Sequence, residues 1–178
     1  MKKLIIAAAM VCAAAFAQAA TVNWGISNLK NPSGGAPTTG WAVMAFYTEV
    51  GAGSSAIESA IASKTAASLA FETTTLVNSL GTGKVTAHDA TAAALDTSKN
   101  YDFYFVVFNN ASVADADQYV MVSALNKEYS SLDGKYKASG NFSGATWSDV
   151  PAPVIPEPTA GLLVLLGIAG LALKRKQA

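Results

Sequence analysis

The chain has 178 residues, of which 51% are hydrophobic and 13% are charged, whereas about a quarter of the residues are charged in an ordinary soluble domain. Basic and acidic residues are equal in number, at twelve each, and Cys12 is the single cysteine. This length accommodates one domain with appendages, and one cysteine excludes both a disulfide framework and a thiolate metal site built within the chain.

The start of the chain has the three parts of a secretory signal peptide. Two lysines follow the initiator methionine, an apolar run extends from Leu4 to Phe16, and Ala17 and Ala19 are small residues where a signal peptidase requires them. This pattern predicts cleavage by signal peptidase between Ala19 and Ala20. Since Cys12 lies within the apolar run, the exported chain would contain no cysteine, and its stability must come from a packed core.

The charge of the exported part argues against one class of partner. Residues 20–150 contain seven lysines, eleven acidic residues and no arginine. Arginine provides most bidentate contacts to phosphates and bases, and a nucleic-acid-binding domain presents a basic patch. The composition therefore predicts that nucleic acid is not a partner of this domain.

Residues 20–148 are predicted to form a β-rich exported domain. Three runs are apolar at both odd and even positions, which is typical of central strands buried on both faces; they are residues 40–50, 101–110 and 118–129. Two further runs, residues 21–28 and 134–142, alternate more weakly. We expect these two to be edge strands, with lysines that protect the second from pairing.

One helix is predicted to interrupt the strands. Ser55 and Glu58 have the spacing of a capping box, in which both side chains satisfy free N–H groups of the first helical turn. The helix is expected to run to about Ala70 with one apolar side, formed by Ile57, Ala60 and Ile61. For residues 86–94, which are rich in alanine and threonine, a second short helix and a loop both remain open.

Leu95 and Tyr101 flank a turn-rich stretch, and Tyr101 opens the next predicted strand. This arrangement resembles the tyrosine corner of immunoglobulin-like and fibronectin-like sandwiches, in which a tyrosine hydroxyl bonds to upstream backbone at the crossover between sheets. The resemblance implies a mostly-β, sandwich-like fold of the immunoglobulin/fibronectin kind, with one inserted helix.

Two groups of titratable residues are candidates for catalysis or metal binding. His88 next to Asp89 has the composition of a base and its orienting carboxylate, but no nucleophile motif such as Gly-x-Ser-x-Gly accompanies them. Asp115 and Asp117 have the spacing that starts a calcium loop, but the required glycine and glutamate do not follow at the required offsets. We expect a surface or loop histidine and a solvated turn, and hence no catalytic, metal or cofactor site and no enzyme activity.

Trp24, Trp41 and Trp147 are candidate sugar-stacking residues. Aromatic side chains at strand spacing usually pack in a core, and Trp147, which lies near the C-terminal prolines, is expected to be the most exposed of the three. An exposed pair of coplanar rings among them would favour a binding module for extracellular polysaccharide.

The C-terminal part of the chain opens with a spacer and continues with an apolar run. Residues 149–158 contain four prolines, which prevent a helix and favour a semi-rigid extended backbone. Residues 159–173 are uncharged and apolar and are predicted to form a transmembrane helix. At roughly 22 Å, this helix is shorter than the hydrocarbon core of about 30 Å.

A basic cluster, Lys174, Arg175 and Lys176, follows the apolar run. Basic residues at the end of a membrane helix stop translocation and remain in the cytoplasm, so residues 174–178 are predicted to be a cytoplasmic tail. The predicted signal peptide exports everything that precedes the helix, and the two topological signals therefore agree.

The tripeptide Pro156-Glu157-Pro158, the short Gly/Leu-rich apolar run and the terminal basic cluster together resemble the PEP-CTERM sorting signal of Gram-negative bacteria. The resemblance covers about the last 25 residues of the chain. It implies recognition by exosortase, a membrane-embedded processing enzyme, with cleavage near the tripeptide. It also implies delivery to the cell surface or the extracellular polymer matrix, and it implies nothing about the activity of the exported domain.

The predicted organisation is a signal peptide (1–19), a β-rich exported domain (20–148), a proline-rich spacer (149–158), a transmembrane helix (159–173) and a basic tail (174–178). The expected function is that of a non-enzymatic surface or matrix protein, held in the inner membrane by residues 159–173 until exosortase processes it. A polysaccharide-binding module and a small secreted hydrolase are the alternatives. A cleft with converging carboxylates, or with His88 beside a serine, would favour the hydrolase.

Overall fold

A computed structural model describes residues 19–151, which form two five-stranded β-sheets and one α-helix. The helix, α1, is Ser55–Ala62. In chain order the strands are β1 (Ala20–Leu29), β2 (Ala42–Glu49), β3 (Glu72–Thr75), β4 (Val77–Ser79), β5 (Thr82–Ala92), β6 (Tyr101–Phe108), β7 (Gln118–Lys127), β8 (Tyr129–Ser130), β9 (Lys135–Asn141) and β10 (Ser148–Asp149). The prediction of a mostly-β domain with one helix is confirmed.

The strand order is β4-β5-β1-β9-β8 in the first sheet and β10-β7-β6-β2-β3 in the second. All pairs are antiparallel except β1 and β9, which run parallel from Thr21 opposite Lys135 to Ser27 opposite Asn141. The chain passes between the sheets repeatedly, for example from β5 to β6 and from β7 to β8. The two sheets pack face to face and enclose the main hydrophobic core.

The second sheet is buried on both faces. Along β6, Phe103, Phe105 and Val107 point into the core between the sheets, because alternate residues of a strand face opposite sides. Tyr104 and Val106 point to the other face, where α1 covers them together with Met44 and Phe46 of β2. The predicted division of β2 and β6 into two apolar faces is therefore confirmed, and it explains their continuous apolar sequence.

The prediction of edge strands at residues 21–28 and 134–142 is wrong. β1 lies in the middle of the first sheet, between β5 and β9, and β9 lies between β1 and the short β8. One face of this sheet is exposed to solvent, so its inner strands alternate between buried and exposed residues. Trp24 and Tyr136 are fully buried on the inner face, whereas Lys137 on the outer face is exposed.

The predicted helix begins at the expected residue but ends early. It starts at Ser55 after the N-cap residue Ser54, and Ser54 Oγ donates to Glu58 Oε1 at 2.6 Å, so the capping box expected from Ser55 is replaced by this contact. The helix ends at Ala62 rather than near Ala70, because Lys64 takes a left-handed φ of 56° that a helix cannot continue through. A single 3₁₀ turn then follows.

Residues 86–94 form neither the short helix nor the loop that the sequence left open, since β5 runs to Ala92. Gly25 of β1 passes so near β5 that a Cβ atom on it would lie 2.9 Å from the Cα atom of Ala87. Glycine at position 25 permits this approach of the two backbones. The alanine-rich composition of residues 86–94 does not by itself distinguish a strand from a helix.

The crossover from β5 to β6, residues 93–100, is held by three tyrosine hydroxyl groups. Tyr101 Oη accepts the backbone N–H of Asp96 at 3.0 Å, as the predicted tyrosine corner requires, and Leu95 is fully buried. Tyr136 Oη lies 2.8 Å from the carbonyl oxygens of both Asp96 and Lys99, and its one proton is shared between these two acceptors. Tyr47 Oη donates to the carbonyl of Ala93. We call this arrangement the tyrosine clamp.

The rings of the tyrosine clamp also contact one another. The Tyr101 ring lies edge-on to Tyr47 at a centroid distance of 5.6 Å and edge-on to Tyr136 at 5.8 Å. Tyr47 and Tyr101 belong to the second sheet and Tyr136 to the first, so the clamp joins the sheets. Burial, together with the neighbouring Tyr101 and Asp96, raises the pKa of Tyr136 to about 12, which keeps its proton available for donation.

Replacing Tyr136 by phenylalanine removes the donor shared by the carbonyl groups of Asp96 and Lys99. We expect Tyr136→Phe to lower the free energy of unfolding by roughly 1–3 kcal/mol, measured by urea denaturation. The control is Tyr104→Phe, at a tyrosine that is 6% exposed on the other face of the second sheet. Equal losses in the two variants would contradict a specific role for the clamp.

Candidate functional site

The ends of the described domain lie at opposite poles of the sandwich. Ala20, the first residue of β1, pairs with Ala92 at the end of β5, beside the tyrosine clamp. Asp149 of β10 pairs with Gln118 at the start of β7, and the described chain ends two residues later at Pro151. We call these ends the crossover pole and the exit pole. The eight residues of β6 span the distance between them, which is roughly 26 Å.

Of the residues predicted to direct sorting, Ala19 and Ala20 are described. Ala19 is exposed, and Ala20 is 4% exposed within β1. Cleavage between them would leave no linker before the strand, so it would have to precede the pairing of β1 with β5. The remaining predicted sorting residues lie outside the described part of the chain: Ala17, Pro156, Glu157, Pro158, the apolar run 159–173, Lys174, Arg175 and Lys176.

The cluster around His88 is the most connected polar site that the structure reveals. A β-bulge in β5 opposite Gly25 lets both Val85 and His88 face inward, since an extra residue shifts the alternation of a strand. His88 Nε2 lies 2.9 Å from Glu72 Oε1, and the indole Nε1 of Trp24 donates to Glu72 Oε2 at 2.7 Å. Glu72 belongs to β3 of the second sheet, so its carboxylate bridges the two sheets.

Both ring nitrogens of His88 face acceptors. Nδ1 lies 3.0 Å from the carbonyl oxygen of Thr86, and Nε2 faces the Glu72 carboxylate. A carbonyl and a carboxylate can only accept, so both hydrogen bonds form only when the imidazole carries two protons. The hydrogen bonds to Thr86 and Glu72 accordingly raise the pKa of His88 above its ordinary value. Both ring nitrogens are therefore engaged by acceptors that belong to the folded domain.

The adjacent Asp89 does not orient His88. Its two oxygens accept from Asn23 Nδ2 at 2.6 Å and from Lys135 Nζ at 2.7 Å. The Lys135 contact is the main cause that lowers the pKa of Asp89. Neighbouring residues of a strand point to opposite faces, and the base–orienter pair considered from the sequence is therefore not formed. His88 lies within β5 rather than in a loop, and 36% of its side chain is exposed, so it is a surface-accessible strand residue.

Asp115 and Asp117 belong to a turn that binds its own backbone. Asp117 accepts a hydrogen bond from the side-chain amide of Asn109, and Asn109 Oδ1 accepts from the backbone N–H of Gln118 at 3.1 Å. Asp115 is exposed at the end of a 3₁₀ turn. Between residues 19 and 151, no group of three histidine, cysteine or acidic side chains is placed to hold a metal ion.

The three tryptophans do not form a flat aromatic surface. Trp24 is fully buried and stacks on Phe105 with an interplanar angle of 15°. Trp41 and Trp147 are half-buried at the exit pole, where their rings contact at 5.6 Å but are nearly perpendicular, at 79°. Trp147 Nε1 donates to the carbonyl of Lys30 at 3.0 Å. These residues pack the domain, and the coplanar pair that would favour polysaccharide binding is not formed.

Sequence reasoning missed a polar cleft at the crossover pole. It has a volume of about 450 Å³, and its lining consists of Asn100, Asn126, Lys127, Glu128, Ser130 and Lys137. Asn100 Nδ2 donates to Asn126 Oδ1 at 2.9 Å, and Ser130 Oγ donates to Asp133 at 2.8 Å. Amide and ammonium groups can bind a polar ligand by hydrogen bonds, but no nucleophile paired with a base lines this cleft.

Asp102 organises the wall of this cleft. It is the only charged side chain classed as buried among residues 19–151, at 6% exposed. One carboxylate oxygen accepts the N–H of Asn126 at 2.7 Å, and the other accepts the N–H of Gly51 at 3.2 Å. A single carboxylate thus fixes the loop after β2 and the bulge near the end of β7, where Asn126 takes a left-handed φ of 50°.

No protein-family model, curated protein or solved structure matches this chain. Among residues 19–151, no helix has both the length and the apolar character that crossing a membrane requires.

The chain has a single histidine, so its proton NMR titration reports on His88 directly. We expect a midpoint above the ordinary value of 6.5, since both hydrogen bonds favour the imidazolium. Glu72→Gln should lower the midpoint, whereas Glu49→Gln, at the exposed partner of Lys99, should leave it unchanged. A midpoint at or below 6.5 in the wild type would contradict the proposed protonation.

The same shift makes stability depend on pH. The folded pKa of His88 is raised, so its contribution to stability is fully present below the unfolded pKa of about 6.5 and is lost as pH rises through the folded value. His88→Gln should remove this slope from the thermal melting profile near neutral pH.

The carboxylate of Asp102 serves two otherwise unpaired N–H groups. We expect Asp102→Ala to lower the free energy of unfolding by roughly 1–3 kcal/mol, measured by urea denaturation. Asp115→Ala, at an exposed carboxylate, should change it by less than about 0.5 kcal/mol. A comparable effect of the two substitutions would show that Asp102 does not fix these loops.

Proposed function

We propose that the chain is an exported cell-surface or extracellular-matrix protein of a Gram-negative bacterium, sorted by its C-terminus and processed by exosortase. The observation that carries the proposal is the order of the C-terminal features: Pro156-Glu157-Pro158, the apolar run 159–173, and the basic cluster Lys174, Arg175 and Lys176. A tripeptide alone is a weak signal. The combination of features is far more specific. The tripeptide precedes a short apolar segment with a basic end, in a chain that also has a predicted signal peptide.

The place where the hydrogen-bonded domain ends supports a function for the proline-rich spacer, residues 149–158. The last backbone hydrogen bond near the exit pole joins the N–H of Val150 to the carbonyl of Asp117 at 2.7 Å. Six residues separate Val150 from Glu157. In extended conformation they span roughly 20 Å, which is enough to keep a folded domain clear of a membrane-embedded enzyme while that enzyme reaches the tripeptide.

We also propose that the domain is a sandwich of the immunoglobulin/fibronectin kind and that residues 159–173 span the inner membrane as a transient helix. The corner formed by Leu95 and Tyr101 supports the first proposal. The absence of charge from the apolar run and the basic residues after it support the second.

The domain serves this protein as a structural or interaction module rather than as an enzyme. A hydrolase would need a base with a free nitrogen or a pair of converging carboxylates, and His88 has both nitrogens bound to acceptors. A polysaccharide-binding face would be supported by coplanar aromatic rings, and the perpendicular rings of Trp41 and Trp147 do not provide them.

The test compares the intact mass and the location of the protein in strains with and without exosortase. We expect the chain to lose its C-terminal segment and leave the membrane fraction only when exosortase is present. In a variant with alanine in place of Pro156, Glu157 and Pro158, the chain should remain unshortened and stay in the membrane fraction of both strains.

The matched control replaces Pro151 and Pro153 by alanine, which changes the spacer without touching the tripeptide. Processing of this variant should be unaffected. A wild-type chain that keeps its full C-terminus in both strains would overturn the sorting proposal.

A further inference from the structure

Most of the outer edge of β7 has no strand beside it in the described part of the chain. β10 covers β7 at only two positions, where Ser148 pairs with Tyr119 and Asp149 pairs with Gln118. From Val120 to the end of the strand, no other described strand pairs with this edge. Exposed edges carry unpaired backbone donors and acceptors, which makes them templates for pairing with another chain.

Hydrogen bonds near the start of β7 show which backbone N–H and C=O groups of this strand point toward its outer edge. The carbonyl of Gln118 accepts from Asn109 on the β6 side, whereas the carbonyl of Asp117 accepts from Val150 on the β10 side. Orientation alternates along a strand, so the N–H and C=O groups of Met121 and Ser123 point outward. Beyond Ala124 the strand bulges, since Leu125 and Asn126 both lie opposite Asp102.

The composition of this edge favours pairing. Residues 118–126 contain no charged residue and no proline, which are two of the devices by which proteins block edge pairing. The other free edges carry such devices or are short. β4 and β8 have only three and two residues, the four-residue β3 begins with Glu72, and β9 carries Lys135 and Lys137. Beyond Lys84 the outer edge of β5 has no neighbouring strand, but it contains a β-bulge and the charged Asp89. Leu125, moreover, is 55% exposed.

We propose that two copies of this chain pair antiparallel through the outer edges of β7, centred on Ser123. In this register Ser123 faces its own symmetry mate, and the exposed Leu125 of each copy faces Met121 of the other. No like charges meet, because the segment is uncharged. Each β10 lies just beyond the paired segment, so the pairing occupies the free length between Val120 and Asn126 and leaves β10 in place.

This pairing joins the second sheets of two copies into one continuous sheet. Both copies use the same edge, which makes the contact isologous and closes it at a dimer rather than a fibre. The pairing does not depend on how the chain is sorted, so it can fail or succeed independently of the sorting proposal.

A cysteine scan tests the proposal in the full chain. Cys12 is the only cysteine, so Cys12→Ala provides a cysteine-free background into which Ser123→Cys is introduced. The matched control is Ser139→Cys, at an exposed serine of β9 next to Lys137. Because pairing holds the two thiols at an effective concentration on the order of millimolar, we expect at least about tenfold more disulfide-linked dimer from Ser123→Cys than from the control.

A second measurement keeps the result independent of disulfide geometry. Sedimentation of the full chain in detergent should give a dimer, and Ser123→Lys should weaken it by about tenfold or more, since two lysines would then face each other. Thermal melting of Ser123→Lys checks that the fold is intact. A monomeric wild type, equal cross-linking at positions 123 and 139, or a cross-linked product containing a different protein would each overturn the proposal.

Discussion

The fold depends above all on how the chain passes from the first sheet to the second between β5 and β6. Two sheets packed only through apolar side chains could slide relative to each other, because hydrophobic contacts are not directional. The tyrosine clamp removes this freedom, since hydroxyl groups from both sheets bond to the backbone of one crossover. The clamp thereby fixes the crossover pole, where β1 begins and where Asp102 shapes a polar cleft.

The polar groups inside this molecule act as connectors between its parts. Glu72 joins the sheets along one side through Trp24 and His88, and Asp102 joins two loops at one pole. In both places a carboxylate accepts from two donors, which satisfies charges that would otherwise be costly to bury. His88, which resembles a catalytic base in the sequence, therefore contributes to holding the two sheets together.

The sequence predicts features that are encoded locally. The strands β2 and β6, with two apolar faces each, and the start of α1 at Ser55 follow from patterns within about ten residues. The tyrosine corner was recognisable because Leu95 and Tyr101 are close along the chain. Its other members, Tyr47 and Tyr136, lie 46 and 37 positions from the backbone groups that they bind, and no local pattern relates them.

The same limit applies to the candidate site. Glu72 approaches His88 only because β3 and β5 meet at one side of the sandwich, and no spacing in the sequence signals this meeting. The position of β1 and β9 within their sheet was also not encoded locally. An inner strand with one solvated face has the same alternation as an edge strand, and the neighbours that distinguish the two are distant in sequence. The alanine-rich stretch of β5 was ambiguous for a related reason, because its partner strand β1 is distant in sequence.

The parallel pairing of β1 with β9 has a mechanical consequence. A force applied between the crossover pole and the chain beyond Pro151 would act along the length of the strands. Seven residue pairs connect β1 to β9, and a force along parallel neighbours shears all of their hydrogen bonds at once instead of opening them in turn. The two-residue β10 would detach first and lengthen the segment of chain that carries the force. The two packed sheets would stay intact while the force acts.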